Sequence, residues 1–391
     1  MFDRLNSRYL AGLLLIGLAI GCGPPETFDR QGMVEETVDT VIMPAHDKLS
    51  KRADALHSSV TKLCEGDQKK AQLEDARSAW RDLQEPLKWI QAWSFNMSPY
   101  RGKSFGVFAY KIDREPSWGD NIEAVIDGDE TYRRDLNRDG DEKPDEPFGS
   151  GADKTIDEDF VASQNYLRNA KGYPAVEYLL FSDESFQGGM SNERRCDYLS
   201  AVSKHAKGVV AEYVKAWSRD GGDFAGRFDS PSSDDMDWAT TQDSINAMVS
   251  QMVFVSKQRI SKSLLGGPLG QHEDDNHVPD SVSSPHANAS LAQMKATLAG
   301  LEKLYSGGGG RSLADYTKFR KKSVHKLVDT RIEKARKAIE AIPEPLEDAV
   351  ENKRQKVISA QEAVDSLAAA IEADLKTSLG ATTTRVVVDN D

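Results

Sequence analysis

Apolar side chains recur every three or four residues along most of this chain, and that spacing constrains its fold more than any other feature. The first such run extends from Val34 to Leu63, and the last extends from Val357 to Leu375. This period places the apolar residues on one face of an α-helix. A β-like run occurs only at residues 386–388. The pattern therefore predicts an all-α protein.

The helical runs fall into two sets of four. The first set lies within residues 27–229, and the second lies within residues 238–380, before a short tail of residues 381–391. Pro44 and Pro86 fall inside the first two runs, where each is expected to kink its helix without ending it. We predict two domains that each resemble a four-helix bundle. An internal duplication is a hypothesis for which the chain offers no clear sequence repeat.

Residues 1–22 have the composition of a secretion signal. Arg4 and Arg8 precede the apolar segment LAGLLLIGLAI, which is too short to span a membrane. The cysteine at its end is similar to that of a bacterial lipobox, in which Cys22 becomes the lipidated N-terminus. An ordinary signal peptide cleaved nearby is the alternative. Gly23 follows the cysteine in place of aspartate, which by resemblance to enterobacterial sorting indicates the outer membrane, facing the periplasm.

The chain is acidic, with a formal net charge of -13. A nucleic-acid partner is not expected, because phosphate binding requires a stripe of lysine and arginine that this composition does not offer. No nucleophile elbow or phosphate-binding loop is present, and SGGGGR is better explained as a linker between helices.

Two cysteines remain in the mature chain, Cys64 at the end of the first helical run and Cys196 at the start of the fourth. In an up-down-up-down bundle these two ends lie at the same pole. An exported protein encounters an oxidising compartment, so we expect a Cys64–Cys196 disulfide. Two buried thiols are the alternative.

Several short motifs occur in a characteristic order, and with them the chain resembles the imelysin family of bacterial envelope proteins. The motifs are VIMPAH, AWRDL, PSWGDNIEAVI, KGYPAVEYLLF, RRCDYL, LGGPLG, SLAQMKATLAGLEKLYSG and LAAAIEADLKTSLG. The resemblance covers nearly the whole mature chain. It implies an all-helical fold of two domains, an exported or lipid-anchored location, and an association with iron or haem acquisition. Some members of the family have been described as metallopeptidases.

The family hallmark is Gly-x-His-x-x-Glu, and here it reads Gly172-Tyr173-Pro174-Ala175-Val176-Glu177. Histidine and glutamate three residues apart share one face of a helix and can reach the same metal ion. Proline has no donor atom, so a zinc site is not expected here. Pro174 is instead predicted to occupy the first position of a new helix, with Glu177 in the first turn near the positive end of its dipole.

The retained glutamate has two interpretations. In the first, Glu177 belongs to a well-formed helix start and is held by a partner or by the helix dipole. In the second, Glu177 and Tyr173 form an altered binding site between the domains, together with distant residues. His46, next to the Pro44 kink, is a candidate to supply an imidazole to that site. His272 and His277 stand in a polar loop that could gather a metal, although solvated histidines are the alternative.

Residues 135–146, DLNRDGDEKPDE, match the spacing of a calcium loop. Asp135, Asn137 and Asp139 offer side-chain oxygens, Asp141 offers its backbone carbonyl, and Glu146 can close the site with two oxygens. Glu142 and two prolines depart from an ordinary EF-hand. The loop lies within an acidic insertion, residues 113–159. It is predicted either to bind Ca²⁺, which would order the insertion, or to be disordered and solvated.

Three functional hypotheses follow from these features. The favoured one is an exported, lipid-anchored protein that binds a ligand or partner in iron or haem uptake without catalysis. In that case its partners are the membrane, through the lipid, and other iron- or haem-uptake proteins. The second is an imelysin-type metallopeptidase with a rebuilt metal site, and the third is a calcium-stabilised structural protein of the envelope.

Overall fold

Helices account for all the regular secondary structure in the part of the chain that the computed structural model describes. That part comprises residues 27–65, 70–95, 111–115, 117, 119–128, 155–163, 170–182, 193–271 and 282–382. Its helices, in chain order, are α1 (Arg30–Thr37), α2 (Met43–Glu65), α3 (Lys70–Trp89), α4 (Gly119–Asp127), α5 (Glu158–Ser163), α6 (Gly172–Phe181), α7 (Glu193–Trp217), α8 (Phe224–Asp229), α9 (Thr241–Val253), α10 (Ser290–Ser306), α11 (Leu313–Arg320), α12 (Lys322–Glu340), α13 (Leu346–Asn352), α14 (Arg354–Ala369) and α15 (Lys376–Leu379). The predicted all-α fold is confirmed.

Wider π-helical segments join several of these helices: Val38–Ile42, Phe254–Gly266 and Ala370–Leu375, with a 3₁₀ turn at Ile90–Trp93. The first of them explains how the chain tolerates Pro44. The N–H of Met43 bonds to the carbonyl of Val38, five residues back. Proline has no N–H with which to continue the α-helical ladder, and the π segment absorbs this defect without ending the helical course.

Apolar residues also recur at helical spacing from Leu313 to Ile342 and from Val350 to Leu379, which predicts one helix in each run, and both runs are interrupted. Lys321 adopts an extended conformation, with φ -159° and ψ 97°, and separates α11 from α12. Lys353 separates α13 from α14. Apolar residues keep their helical spacing on both sides of each break, so the period alone does not reveal them.

The helices pack around one continuous buried apolar cluster that extends from Met33 to Ala381. In the N-terminal half, α2 lies against α3 and α7, and α6 lies against α3 and α7. In the C-terminal half, α14 lies against α12 and the π segment Phe254–Gly266. The halves meet where α10 crosses α3, because Gly300 allows its backbone to lie directly against that of Trp89. The division into two bundle domains stays a prediction.

Among the described helices, none combines the length and the apolar character needed to cross a bilayer.

Candidate functional site

The start of α6 is fixed by a glycine that no other residue can replace without strain. Gly172 has φ +70°, a conformation that residues with a side chain rarely adopt. A Cβ atom at this position would lie 2.7 Å from the carbonyl oxygen of Ile112. The next residue is held as well, because Trp80 of α3 donates its Nε1–H to the carbonyl of Tyr173, at 3.0 Å. The hallmark segment is therefore tied to α3 and to the 111–115 segment.

Pro174 is the third residue of α6, since the helix begins at Gly172, and not the first residue as the sequence suggested. The missing N–H still costs nothing there, because the N–H groups of the first helical turn have no partner within the helix. The same shift places Glu177 in the second turn of α6, so the helix dipole is not its principal partner.

Glu177 is a buried acid whose side chain is 2% exposed. Its Oε1 accepts a hydrogen bond from the backbone N–H of Ala287, at 2.9 Å. Burial raises the pKa of Glu177 to about 8, although the Ala287 N–H and the neighbouring Ser284 side chain act to lower it. At neutral pH the group is therefore mostly a neutral carboxylic acid that links α6 to the 282–289 segment.

A buried cluster of four charged residues lies close enough to Glu177 for two of them, Glu115 and Lys88, to act on its pKa. Lys88 forms ion pairs with Asp113, at 2.7 Å, and with Glu115. Arg259, from the C-terminal half, reaches Glu115 at 2.6 Å. Burial raises the pKa of Asp113 to about 6, with Lys88 opposing the rise. Burial also acts to raise the pKa of Glu115, but Lys88 and Arg259 hold it below its ordinary value.

Amide side chains continue this polar contact between the halves. Gln293 of α10 donates to Gln84 of α3 at 2.9 Å and accepts from Ser283 at 2.9 Å. Gln251 of α9 donates to the carbonyl of Gln91 at 2.6 Å. We call the contact formed by Glu177, the charged cluster and these amides the polar seam. Its members pair with one another across the two halves, so their hydrogen bonds fix how the halves meet.

The 284–287 segment is the part of the site that the sequence did not reveal. It contributes Ala287 to Glu177, and it places the ring of His286 edge-on to Tyr178, with centroids 5.0 Å apart. Ala287 acts through its backbone N–H, which any residue except proline supplies. No residue type in this segment could therefore have identified it.

No side-chain hydrogen bond joins Tyr173 or His46 to Glu177 among the described residues. The Tyr173 hydroxyl is buried and has no hydrogen-bond partner among the described residues, and burial raises its pKa. His46 lies in an aromatic group, where its Nε2 accepts from Trp93 at 3.1 Å and Tyr213 packs edge-on against its ring. Burial lowers the pKa of His46 to about 3, so the ring is neutral. Within the described stretches, the partners of His46 and of Glu177 are different residues.

The predicted disulfide is present. Cys64 at the end of α2 is bonded to Cys196 at the start of α7, with Cα atoms 5.4 Å apart. Cys22, the loop histidines at 272 and 277, and the calcium-loop residues Asp135, Asn137, Asp139, Asp141 and Glu146 lie outside the described residues.

The Peptidase_M75 (imelysin) family model matches residues 42–373 of this chain. The chain belongs to the imelysin family. It is 22% identical to iron-regulated protein A of Synechococcus elongatus over 376 residues, which cover 93% of this chain and 92% of that protein.

Two solved structures share the imelysin fold of this chain. One, described as an iron-regulated protein A precursor from Parabacteroides distasonis, has a TM-score of 0.71 and 19% identity, with 92% of this chain and 97% of that chain covered. An imelysin-like protein from Psychrobacter arcticum has a TM-score of 0.63 and 16% identity, with 91% and 96% covered.

The imelysin hallmark implies a metal ion between its histidine and glutamate, and the residues at this site do not fit one. Pro174 supplies no donor atom, and the Oε1 of Glu177 is engaged by Ala287. Across the described stretches of the chain, no three His, Cys, Asp or Glu side chains are grouped so that they could hold a metal. A transition metal is usually held by three or four such donors.

Proposed function

We propose that this imelysin-family chain is a non-catalytic binding protein of the bacterial envelope that takes part in iron or haem uptake. It is held by lipid at Cys22 and faces the periplasm from the outer membrane. The non-catalytic assignment rests on two features of α6. Proline stands where the hallmark has its imidazole, and Glu177 is a buried neutral acid that accepts a hydrogen bond from the Ala287 N–H.

The state of Glu177 supports binding over hydrolysis. A metallopeptidase needs an ion with an open coordination position and a carboxylate that takes a proton from the attacking water. A carboxyl group with a pKa of about 8 carries its proton at neutral pH and cannot accept another. The metallopeptidase hypothesis therefore requires both a metal and a base that the described residues do not assemble.

The link to iron rests on the relatives. The curated relative and one of the solved structures are both described as iron-regulated protein A. We extend that association to this chain because the similarity in both cases spans more than nine-tenths of it. The ligand in this proposal is iron or haem, taken up for a partner protein and not consumed.

Titration of the tag-free mature protein tests the proposal. Haem binding is followed by absorbance and iron binding by calorimetry, alongside a peptide-cleavage assay with and without chelator. We expect saturable binding of haem or iron and no cleavage. Absence of affinity for haem, iron and every divalent transition metal would overturn the uptake role. Cleavage that is lost both on chelation and in Glu177→Gln would establish the metallopeptidase instead.

The variant Pro174→His tests why the hallmark position carries no metal. It places an imidazole three residues before Glu177, on the same helix face. Glu177 must lose its proton to bind, so the affinity for Zn²⁺ should rise about tenfold per pH unit between the ordinary histidine pKa and pH 8. Wild-type protein should bind Zn²⁺ weakly throughout. Equal affinity in both proteins would contradict this account of Pro174.

Attachment at Cys22 has a separate test. We expect the N-terminal peptide of membrane-extracted protein to carry acyl chains by mass spectrometry, and Cys22→Ser to abolish them. An unmodified N-terminus in wild-type protein would remove the lipid anchor from the proposal and leave the binding role unaffected.

A further inference from the structure

A basic surface with one exposed aromatic ring lies where α11 meets α12. Its residues, all exposed, are Lys318, Phe319, Arg320, Lys321 and Lys322, and we call this group the basic patch. Phe319 is 44% exposed and, with Met236, is one of two large apolar side chains exposed among the described residues.

The charges of the basic patch are mostly unneutralised. Lys318, Lys321 and Lys322 have no carboxylate partner within the described residues, whereas Arg320 donates to the backbone carbonyl of Ser378. Residues 313–340 contain nine lysines and arginines against four acids, in a chain whose net charge is -13. An acidic protein thus concentrates positive charge in this segment, and the basic patch places part of it beside an exposed apolar side chain.

The N-terminal end of the described chain is fixed beside this patch. Phe28 packs against Tyr316 and Phe319, with ring centroids 5.0 and 5.7 Å apart. Arg311 forms ion pairs with Asp29 and Glu36 and so secures α1 to the segment that precedes α11. The described chain therefore begins at the edge of the basic patch.

The distance to the lipid is short. Phe28 is the sixth residue after Cys22, and six extended residues span about 20 Å at most. A lipid attached at Cys22 therefore keeps Phe28, which packs against Phe319 of the patch, within about 20 Å of the bilayer surface. Within that reach the lysine side chains can come close to anionic headgroups, whose attraction extends over about 8 Å in physiological salt.

We propose that the basic patch docks onto the anionic phospholipid surface of the membrane that carries the lipid anchor. Lys318, Lys321 and Lys322 contact headgroup phosphates, and Phe319 enters the interfacial layer. The orientation of the docked protein rests on the proposed lipidation of Cys22, whereas the affinity of the patch for anionic lipid does not. One lipid signal combined with a polybasic surface gives more stable attachment than either alone.

Vesicle binding by residues 23–391, which retain every described residue and lack the lipid, tests the patch by itself. Vesicles of phosphatidylcholine are compared with vesicles that also contain phosphatidylglycerol, at low and high salt. Since each lysine contributes about fivefold to binding an anionic surface, the triple variant Lys318→Gln, Lys321→Gln, Lys322→Gln should bind on the order of 100-fold more weakly.

The matched control replaces three exposed lysines of α2 and α3 in the same way. Lys51→Gln, Lys62→Gln, Lys70→Gln changes the net charge equally, so its affinity should stay within about twofold of wild type if the position of the charge decides binding. Equal losses in the two triple variants would overturn the proposal. Failure of wild-type protein to distinguish the two kinds of vesicle would overturn it as well.

A polarity-sensitive dye locates Phe319 relative to the lipid. Cys64 and Cys196 are joined in the disulfide, so Phe319→Cys in residues 23–391 carries a single free thiol for labelling. Its fluorescence should shift to the blue on phosphatidylglycerol vesicles, whereas a label at Met236→Cys, an exposed position outside the patch, should not shift. A shift at both positions or at neither would contradict docking through the patch.

These measurements are independent of ligand binding and acylation. A protein that lacks iron or haem affinity but binds anionic vesicles through the patch refutes the proposed function alone. A protein that is acylated at Cys22 and binds its ligand, but shows no selectivity for anionic vesicles, refutes the docking proposal alone.

Discussion

Replacing Glu177 with glutamine should make the protein less sensitive to alkaline pH. Glutamine has the shape of the neutral acid, and its carbonyl oxygen can still accept the Ala287 N–H. The pKa of Glu177 is about 8 in the folded protein against an ordinary value of 4.5. Between these two values the unfolded chain has lost the proton and the folded protein retains it, so the free energy of unfolding of the wild type falls as the pH rises.

The size of the effect follows from the two pKa values. The protonated Glu177 makes its full contribution to the free energy of unfolding below pH 4.5, and this contribution is lost as the pH rises through 8. Between pH 5 and pH 8 the loss amounts to about 3 to 4 kcal/mol, since one pKa unit corresponds to about 1.4 kcal/mol. Glutamine does not titrate, so the difference in unfolding free energy between Glu177→Gln and wild type should grow by that amount across the interval.

Urea unfolding at several pH values, with the disulfide intact, measures this difference. Asp113, whose pKa is about 6, titrates in both proteins, so its contribution cancels in the comparison. Glu351→Gln is the control, because this exposed side chain stays hydrated in the folded and the unfolded protein. A difference between Glu177→Gln and wild type that does not change with pH would refute the assignment of a buried, neutral Glu177.

Three further predictions concern the frame around the site. Gly172→Ala should lower the free energy of unfolding by about 2 to 4 kcal/mol, because residue 172 has a positive φ and its Cβ would meet the Ile112 carbonyl. Gly208→Ala in the middle of α7, where a Cβ has room, should raise the free energy of unfolding by about 1 kcal/mol. Equal effects of the two substitutions would contradict this reasoning. Replacing both disulfide cysteines with serine should cost about 5 kcal/mol in denaturant unfolding, since the bond spans 132 residues, and an unchanged midpoint would argue against its formation in solution. Calorimetry should detect Ca²⁺ binding by the predicted calcium loop, lost in Asp139→Ala; binding that survives this change would place Ca²⁺ elsewhere.

Much of the fold could be predicted because apolar spacing reports directly which residues are buried. Leu49, Leu56 and Leu63 recur at helical intervals, and all three are fully buried in α2. The breaks between helices were harder to predict from the sequence. Lys321 interrupts a helical pattern with a residue that forms helices well, so its extended conformation comes from how α11 and α12 pack and not from local preference.

The site could be predicted only as far as it is local in sequence. Six consecutive residues contain Gly172, Pro174 and Glu177. This short segment shows both the glycine and the absence of the imidazole. Ala287 is 110 residues away and contributes only a backbone N–H. The same limit applies to His46, whose aromatic neighbours come from distant parts of the chain. Contacts between distant segments decide whether an acid meets a metal, a base or an amide.

The structure explains how the hallmark can lose its histidine without loss of the fold. Gly172 is required by its backbone conformation and by the nearby Ile112 carbonyl, whether or not a metal is present. Glu177 is required because a buried acid links α6 to the 282–289 segment. The middle position is the one whose side chain contributes only a metal ligand, and the first turn of α6 accepts proline there without losing a hydrogen bond. Glu177 thus serves the polar seam and Gly172 serves the backbone at the start of α6. Only the middle position can change from a metal ligand to proline at little cost.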